Sequence, residues 1–345
     1  MRAEPVAGAP ALTWLGGSNV AVQPADPVSA PDGWVLVDVG YAGLCGTDLH
    51  ICAGEHPRAK AGLVIGHEVV GVVRGPAAAQ AGLADDTPVV VNPLLSCGEC
   101  SMCRAGRPYT CARLRLIGID VPGGATEQVA VPTANLVPAP IGTDLRLLAF
   151  AEPLAVAVRA VRRAGVGLGD RVVVLGGGPI GLGLAMTARI AGAESITVVE
   201  PSDTRRALAE DLGFATSAGV ESYCAGHAGN LATVTFDAAA HPSVAAALAA
   251  ATTEGGRVVL AGVYGVPAAL DLQQVTFKEL TLIGTRVYSP DDLRTATQLI
   301  VRGVVDPAPL LTKTVPLAHA TEAIADLRAG TEVKVLVAGP AATHS

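Results

Sequence analysis

The stretch that most restricts the fold of this chain is RVVVLGGGPIG, residues 171–181. An apolar run ends in a glycine-dense turn, and a helix-forming stretch follows. Gly176, Gly178 and Gly181 satisfy G-x-G-x-x-G, with Pro179 and Ile180 inside the motif. Glycines at this spacing let a strand turn sharply into a helix and let a pyrophosphate approach the helix N-terminus. The flanking sequence alternates in the same way. AEPLAVAVRAVRRAG (151–165) reads as a helix, and SITVVE (195–200), VTFDAA (234–239) and RVVLAG (257–262) read as strands. DTRRALAEDLG (203–213) and SVAAALAATT (243–252) are helices between them. Such alternation predicts a doubly wound parallel sheet with helices on both faces. Glu200 ends the strand after the turn, where a dinucleotide fingerprint has an acid for the adenosine ribose hydroxyls. A carboxylate there repels a 2′-phosphate, so NAD is expected over NADP. Arg205 and Arg206 keep NADP as the alternative.

The chain before residue 148 has another texture, reading as short strands and loops throughout. GWVLVDVG (33–40) alternates like a half-buried strand, and 62–74 and 87–92 are short apolar runs broken by Gly and Pro. After residue 288 come a helix (DDLRTATQLI), TVPL, a helix at 319–329 and a closing strand VKVLVA. A chain of 345 residues, half of them hydrophobic, suits two domains. The net charge of −7 and the absence of a basic run exclude nucleic acid and anionic membranes as partners. The uncharged run Val172–Ala188 approaches the length of a membrane span, but its glycines read as strand–turn–helix. Residues 1–14 hold no apolar stretch, so no secretory signal is expected and the compartment should be the cytoplasm.

Four of the seven cysteines, Cys97, Cys100, Cys103 and Cys111, form C-x2-C-x2-C-x7-C. Four thiolates so spaced can wrap one tetrahedral Zn²⁺, and a shell closed by four sulfurs is structural. An iron–sulfur cluster and four unrelated thiols are the alternatives. GLCGTDLH (43–50) and GHE (66–68) contribute Cys45, His67 and a nearby carboxylate. Three protein ligands would make an open, catalytic zinc site with room for a substrate oxygen. Alone, one Cys and one His read as a buried thiol and a satisfied histidine; beside a cysteine quartet and a dinucleotide turn they read as a metal site.

Together, GLCGTDLH, GHE, CGEC-x2-C-x7-C, GGGPIG and AEPLAV resemble the zinc-containing medium-chain dehydrogenase/reductase family, over about residues 11–338. They look most like its polyol, butanediol and threonine dehydrogenase branch. The resemblance implies a GroES-like β-barrel catalytic domain (1–152 and 288–345) with an inserted Rossmann domain (153–287), and an active site in the cleft. It implies that Cys45, His67 and either Glu68 or Glu152 bind the catalytic zinc, the two glutamates exchanging during turnover. It implies that Asp48 holds the second nitrogen of His67, that Thr47 hydrogen-bonds the substrate oxygen, and that His50 passes the proton to solvent through the cofactor ribose. Arg205 would reach the adenosine ribose beside Glu200. The implied activity is hydride transfer between a secondary alcohol (a polyol, diol, cyclitol or amino alcohol) and NAD, in a homodimer or homotetramer. An NADP-preferring ketone reductase and a non-redox lyase are the rivals. A non-catalytic zinc-stabilised NAD-binding protein is a third reading.

The resemblance has gaps. Residues 1–13 match less cleanly, and Tyr109 stands where the family often has Asn. Cys52 and Cys224 read as buried or inert thiols. His56 reads as a solvated loop residue before a substrate-cleft one, and His227, His241, His319 and His344 carry no assigned role.

Overall fold

A computed structural model describes residues 8–344, so the N-terminal start of the expected catalytic domain lies outside the described residues. The chain divides into two compact units. One runs to Glu152 and resumes at Leu293; the other is Pro153–Asp292. The return crossing falls at Asp292 rather than at residue 287, and Asp292 accepts a 2.6 Å hydrogen bond from Arg162 inside the second unit.

The first unit is built on a seven-stranded, mostly antiparallel sheet. Its long central strand, Trp34–Leu44, pairs with Glu68–Val73, Gln128–Pro132 and Val335–Ala338. Alternating valines from these strands and from Thr87–Val91 (Val37, Val39, Val69, Val89, Val91, Val129 and Val131) form its core. A smaller sheet pairs Pro10–Gly16 with Asn19–Pro24 and Leu63–Val64. The expectation of strands and loops alone before residue 148 is corrected by two seven-residue helices, Gly46–Cys52 and Gly75–Ala81. Asp48 starts the first by accepting from the Cys45 N–H (2.9 Å). Pro at the start and Gly82 in the left-handed conformation at the end delimit the second.

The second unit holds a six-stranded, wholly parallel sheet. Numbered by chain position within this unit, its strands lie in the order 3-2-1-4-5-6, the dinucleotide-binding arrangement. Arg171–Leu175 is the first strand and pairs with Ser195–Val199 on one side and Ala232–Asp237 on the other. The strand order reverses between these neighbours, and the glycine turn sits at that switch point. The apolar runs are continuous because both sheet faces are covered by helices; Val173, Leu175, Val199, Leu248 and Val258 share one core. Ala215–Ser217 and Thr281–Gly284 form the two edges. Among the described residues no helix is long and apolar enough to cross a membrane.

Candidate active site

The four clustered cysteines converge. Sγ–Sγ separations are 3.4 Å (Cys97–Cys111), 3.5 Å (Cys100–Cys103), 3.9 Å (Cys100–Cys111) and 4.0 Å (Cys97–Cys103). A tetrahedron with Zn–S bonds of ~2.3 Å has edges of ~3.8 Å, in the middle of that range. All four thiols are free. Backbone N–H groups of Glu99 and Cys100 pull the Cys97 thiol down to about 6, while burial pushes Cys103 up to about 11. The donor set and its spacing fit a structural zinc.

The second cluster is assembled by strand pairing. The central strand ends at Leu44, which delivers Cys45 to the N-cap of the helix Gly46–Cys52. Glu68 opens the neighbouring strand and lies in register with Gly43. A Cβ at Gly43 would collide with the Glu68 carboxylate, so glycine is what lets the carboxylate lie across the strand. Cys45 Sγ, a His67 ring nitrogen and a Glu68 oxygen lie within 4.8 Å of one another. His67 and Glu68 are buried, and His67 Nδ1 has no hydrogen-bond partner. Leaving such a nitrogen unpaired is costly. A thiol, an imidazole and a carboxylate brought together, the last two buried and Cys45 half-buried, are a zinc donor set.

The other expected residues surround this cluster to different degrees. Asp48 is fully buried; its carboxylate accepts from Cys45 N–H and lies 3.7 Å from His67 Nδ1. That is charge-pair range, beyond a hydrogen bond. Thr47 Oγ1 is 3.9 Å from Cys45 Sγ. His50 is exposed and its Nδ1 pairs with Glu55 Oε2 at 2.9 Å. Glu152 is buried in the first turn of the helix Ala151–Ala164 but does not belong to the three-residue cluster.

The glycine turn stands in the second unit. Gly176 adopts φ +110°, a conformation that L side chains rarely adopt. A Cβ on Gly181 would overlap the Gly176 carbonyl, so glycine there lets the helix Pro179–Ile190 pack against the turn. A Cβ on Gly178, the N-cap, would meet nothing within 4 Å, which leaves an open cradle at the helix N-terminus of the kind that suits a pyrophosphate. Glu200 is buried at the end of its strand. Its Oε2 accepts from Gly177 N–H (2.7 Å) and its Oε1 from Ser202 N–H (3.0 Å), so it also braces the turn. The Arg206 guanidinium is tied to the carbonyls of Glu200 and Pro201 and to Asp203. The Arg205 side chain makes no polar contact among the described residues.

Sequence reasoning missed two features. Lys334 lies against Glu68, and its Nζ also donates to the Leu44 carbonyl (3.1 Å). Burial works against its charge, but Glu68, Cys45 and Glu152 outweigh it and raise its pKa. A single Lys in VKVLVA carries no signal of this. Asp237, at the end of the strand beside the glycine turn, binds the N–H groups of Ala239 and Ala240 (3.1 and 2.9 Å) and the Tyr264 hydroxyl. It shapes the loop that packs on Gly176.

Comparison with known proteins agrees with this geometry. Residues 31–141 match the alcohol dehydrogenase GroES-like domain, and 179–302 the zinc-binding dehydrogenase domain. The chain is 35% identical to 2-dehydro-3-deoxy-L-galactonate 5-dehydrogenase of Pseudoalteromonas atlantica, over 92% of this chain and 94% of that one. It is 32% identical to L-galactonate-5-dehydrogenase of Escherichia coli, over 84% and 87%. A zinc-binding dehydrogenase of Sinorhizobium meliloti, solved with NADP bound, superposes with a TM-score of 0.89 at 32% identity, covering 95% and 98% of the two chains. The chain therefore belongs to the zinc-containing medium-chain alcohol dehydrogenase family, enzymes that use zinc and NAD(P) to interconvert alcohols and carbonyl compounds.

Proposed function

We propose that this enzyme oxidises the carbon-5 hydroxyl of a sugar acid to a ketone, with NAD as hydride acceptor. The observation that carries the reading is the Cys45–His67–Glu68 cluster in a chain similar, over most of its length, to two sugar-acid 5-dehydrogenases. Zinc, when bound there, supplies a Lewis acid that lowers the pKa of the alcohol. Cys45 and His67 hold it, with a carboxylate from Glu68 or Glu152. Glu68 is paired with Lys334, so Glu152 would be the carboxylate available to hold the metal when Glu68 stays with the lysine. Asp48 fixes the N-terminus of the Cys45 helix, and its carboxylate faces the His67 ring at 3.7 Å.

Thr47 accepts the alcohol's proton into a hydrogen-bonded path, and His50 releases it to solvent. The two stand three residues apart on one helix, hence on the same side, and the exposure of His50 supports the exit. The carbinol hydride goes to the nicotinamide, so two electrons leave the substrate with it and the proton leaves by His50.

Gly176, Gly178, Pro179, Ile180 and Gly181 form the pyrophosphate cradle, and buried Glu200 supports NAD over NADP. Two observations favour NADP instead: the Arg205 side chain makes no polar contact among the described residues, and a similar protein was solved with NADP bound. Seven free cysteines support a reducing cytoplasm. Exposed Leu282 on the sheet edge Thr281–Gly284, with exposed Val263 and Phe277 in the preceding segment, supports a homodimer or homotetramer that covers this edge.

The test is a screen by NADH absorbance of zinc-loaded enzyme across sugar acids, sugar alcohols, vicinal diols and threonine. Sugar acids with a free carbon-5 hydroxyl should give the highest kcat/KM. A higher value for a diol or for threonine overturns the substrate assignment.

A further inference from the structure

Beside the cysteine lobe, a cavity of about 490 Å³ is lined by Arg58, Arg113, Arg115, Leu114, Ser96 and Asp120, among others. Three guanidinium groups stand in this lining with one carboxylate. Arg113 is committed to Glu99. Arg58 is held differently. Its Nη1 donates to the Leu114 carbonyl at 2.9 Å and lies 3.2 Å from Asp120 Oδ2. Asp120 is itself fixed by the Leu116 N–H at 2.8 Å. Nη1 therefore carries every polar contact of the Arg58 guanidinium among the described residues. The Nε–Nη2 edge remains, and its two parallel N–H groups match the two oxygens of a carboxylate. A tie to Asp120 and Leu114 alone would need no such fork.

His56 shapes the turn that carries this group. Its Nδ1 accepts weakly from the N–H groups of Arg58 (3.4 Å) and Ala59 (3.3 Å), which fixes the turn that carries Arg58. Burial, then the Arg58 charge, lowers its pKa, so near neutral pH it adds no positive charge that would compete with Arg58. The loop that braces Arg58 also packs on the cluster, since a Cβ at Gly118, between Leu114 and Asp120, would lie 2.9 Å from the His67 backbone nitrogen.

We propose that Arg58, braced by Asp120 and the Leu114 carbonyl, receives the substrate's carboxylate and selects sugar acids over neutral polyols. This rests on the sugar-acid reading above. In a six-carbon sugar acid the carboxylate stands four bonds from the carbon-5 carbinol, so an acid held by its far end presents that carbinol to the metal cluster. Arg58 is thereby a specificity residue of the same active site.

The experiment compares a sugar acid with the sugar alcohol of the same chain length in wild type, Arg58→Met and Arg58→Lys. Thermal midpoint and zinc content are recorded for each. Losing a charge-assisted fork should cut the acid-over-alcohol ratio of kcat/KM by about 10- to 100-fold, through KM. Arg58→Lys keeps the charge and a contact to Asp120, and should recover part of the ratio. It also supplies the reading if Arg58→Met does not fold. An unchanged ratio, or an equal loss on both substrates, overturns the role of Arg58 while leaving the sugar-acid reading intact. A wild type that turns over the alcohol and not the acid overturns that reading, and the carboxylate site with it.

Discussion

Lys334 and Glu68 form an ion pair inside the first unit, with side chains only 2% and 1% exposed. Gly43 makes room for both, since a Cβ there would also crowd Lys334 Cε. Removing one partner of such a pair strands a buried charge, at a cost of about 3–5 kcal/mol. Lys334→Met should therefore lower the thermal midpoint sharply, and adding Glu68→Gln should recover much of the loss. In cobalt-substituted enzyme the single variant should also shift the visible d–d bands, because Glu68 loses the cation that competes for it. Unchanged stability and spectrum in Lys334→Met would show that the pair does not govern Glu68.

The cysteine lobe should fail in a different way. Cys100→Ala opens a closed four-sulfur shell, so it should lose one zinc per chain and several degrees of thermal midpoint, because metal binding there is folding energy. Metal analysis alongside a thermal melt checks this. A variant as stable as wild type would mean the lobe holds itself together without metal.

Glu200 should set cofactor choice. Its carboxylate and a ribose 2′-phosphate would be like charges in close contact, worth ~1–4 kcal/mol at intermediate dielectric. Glu200→Gln removes the charge and keeps one of the two acceptors to which the Gly177 and Ser202 N–H groups donate. The NAD-over-NADP ratio of kcat/KM should fall, with Arg205 free to meet the phosphate. A wild type that prefers NADP would mean that Arg205 outweighs the carboxylate.

His50 lies outside the metal cluster, paired to Glu55. His50→Gln should keep zinc and cofactor affinity and slow alcohol oxidation by ~10²-fold or less, the range of one acid–base group. The loss should be largest at low pH, and imidazole should restore part of it. Undiminished activity across the pH range would remove His50 from the proton path.

What the sequence shows of this molecule follows from the length and regularity of each signal. The strand Arg171–Leu175, the glycine turn and the helix Ala151–Ala164 are legible because continuous apolar runs, a glycine motif and helical periodicity each report one local geometry. The cysteine quartet is legible because its ligands come from one loop. The edge strands Ala215–Ser217 and Thr281–Gly284 are too short and too exposed to stand out, and the helix Gly46–Cys52 depends on one cap made by Asp48. Lys334 and Arg58 are invisible for another reason. Their roles depend on partners distant in the chain, Glu68 for the first and Leu114 and Asp120 for the second. Strand register and loop packing create those meetings.

The central claim is that hydride transfer depends on a zinc held by Cys45 and His67, distinct from the zinc of the cysteine lobe. Chelator titration tests it most directly, with zinc per chain and the initial rate of NADH formation measured on the same samples. Fresh enzyme should hold two zinc ions per chain, with activity falling in proportion as the first is withdrawn and recovering when zinc is added back. Cys45→Ser should start with one zinc and little activity. Full activity in protein holding one zinc or fewer per chain would contradict the claim.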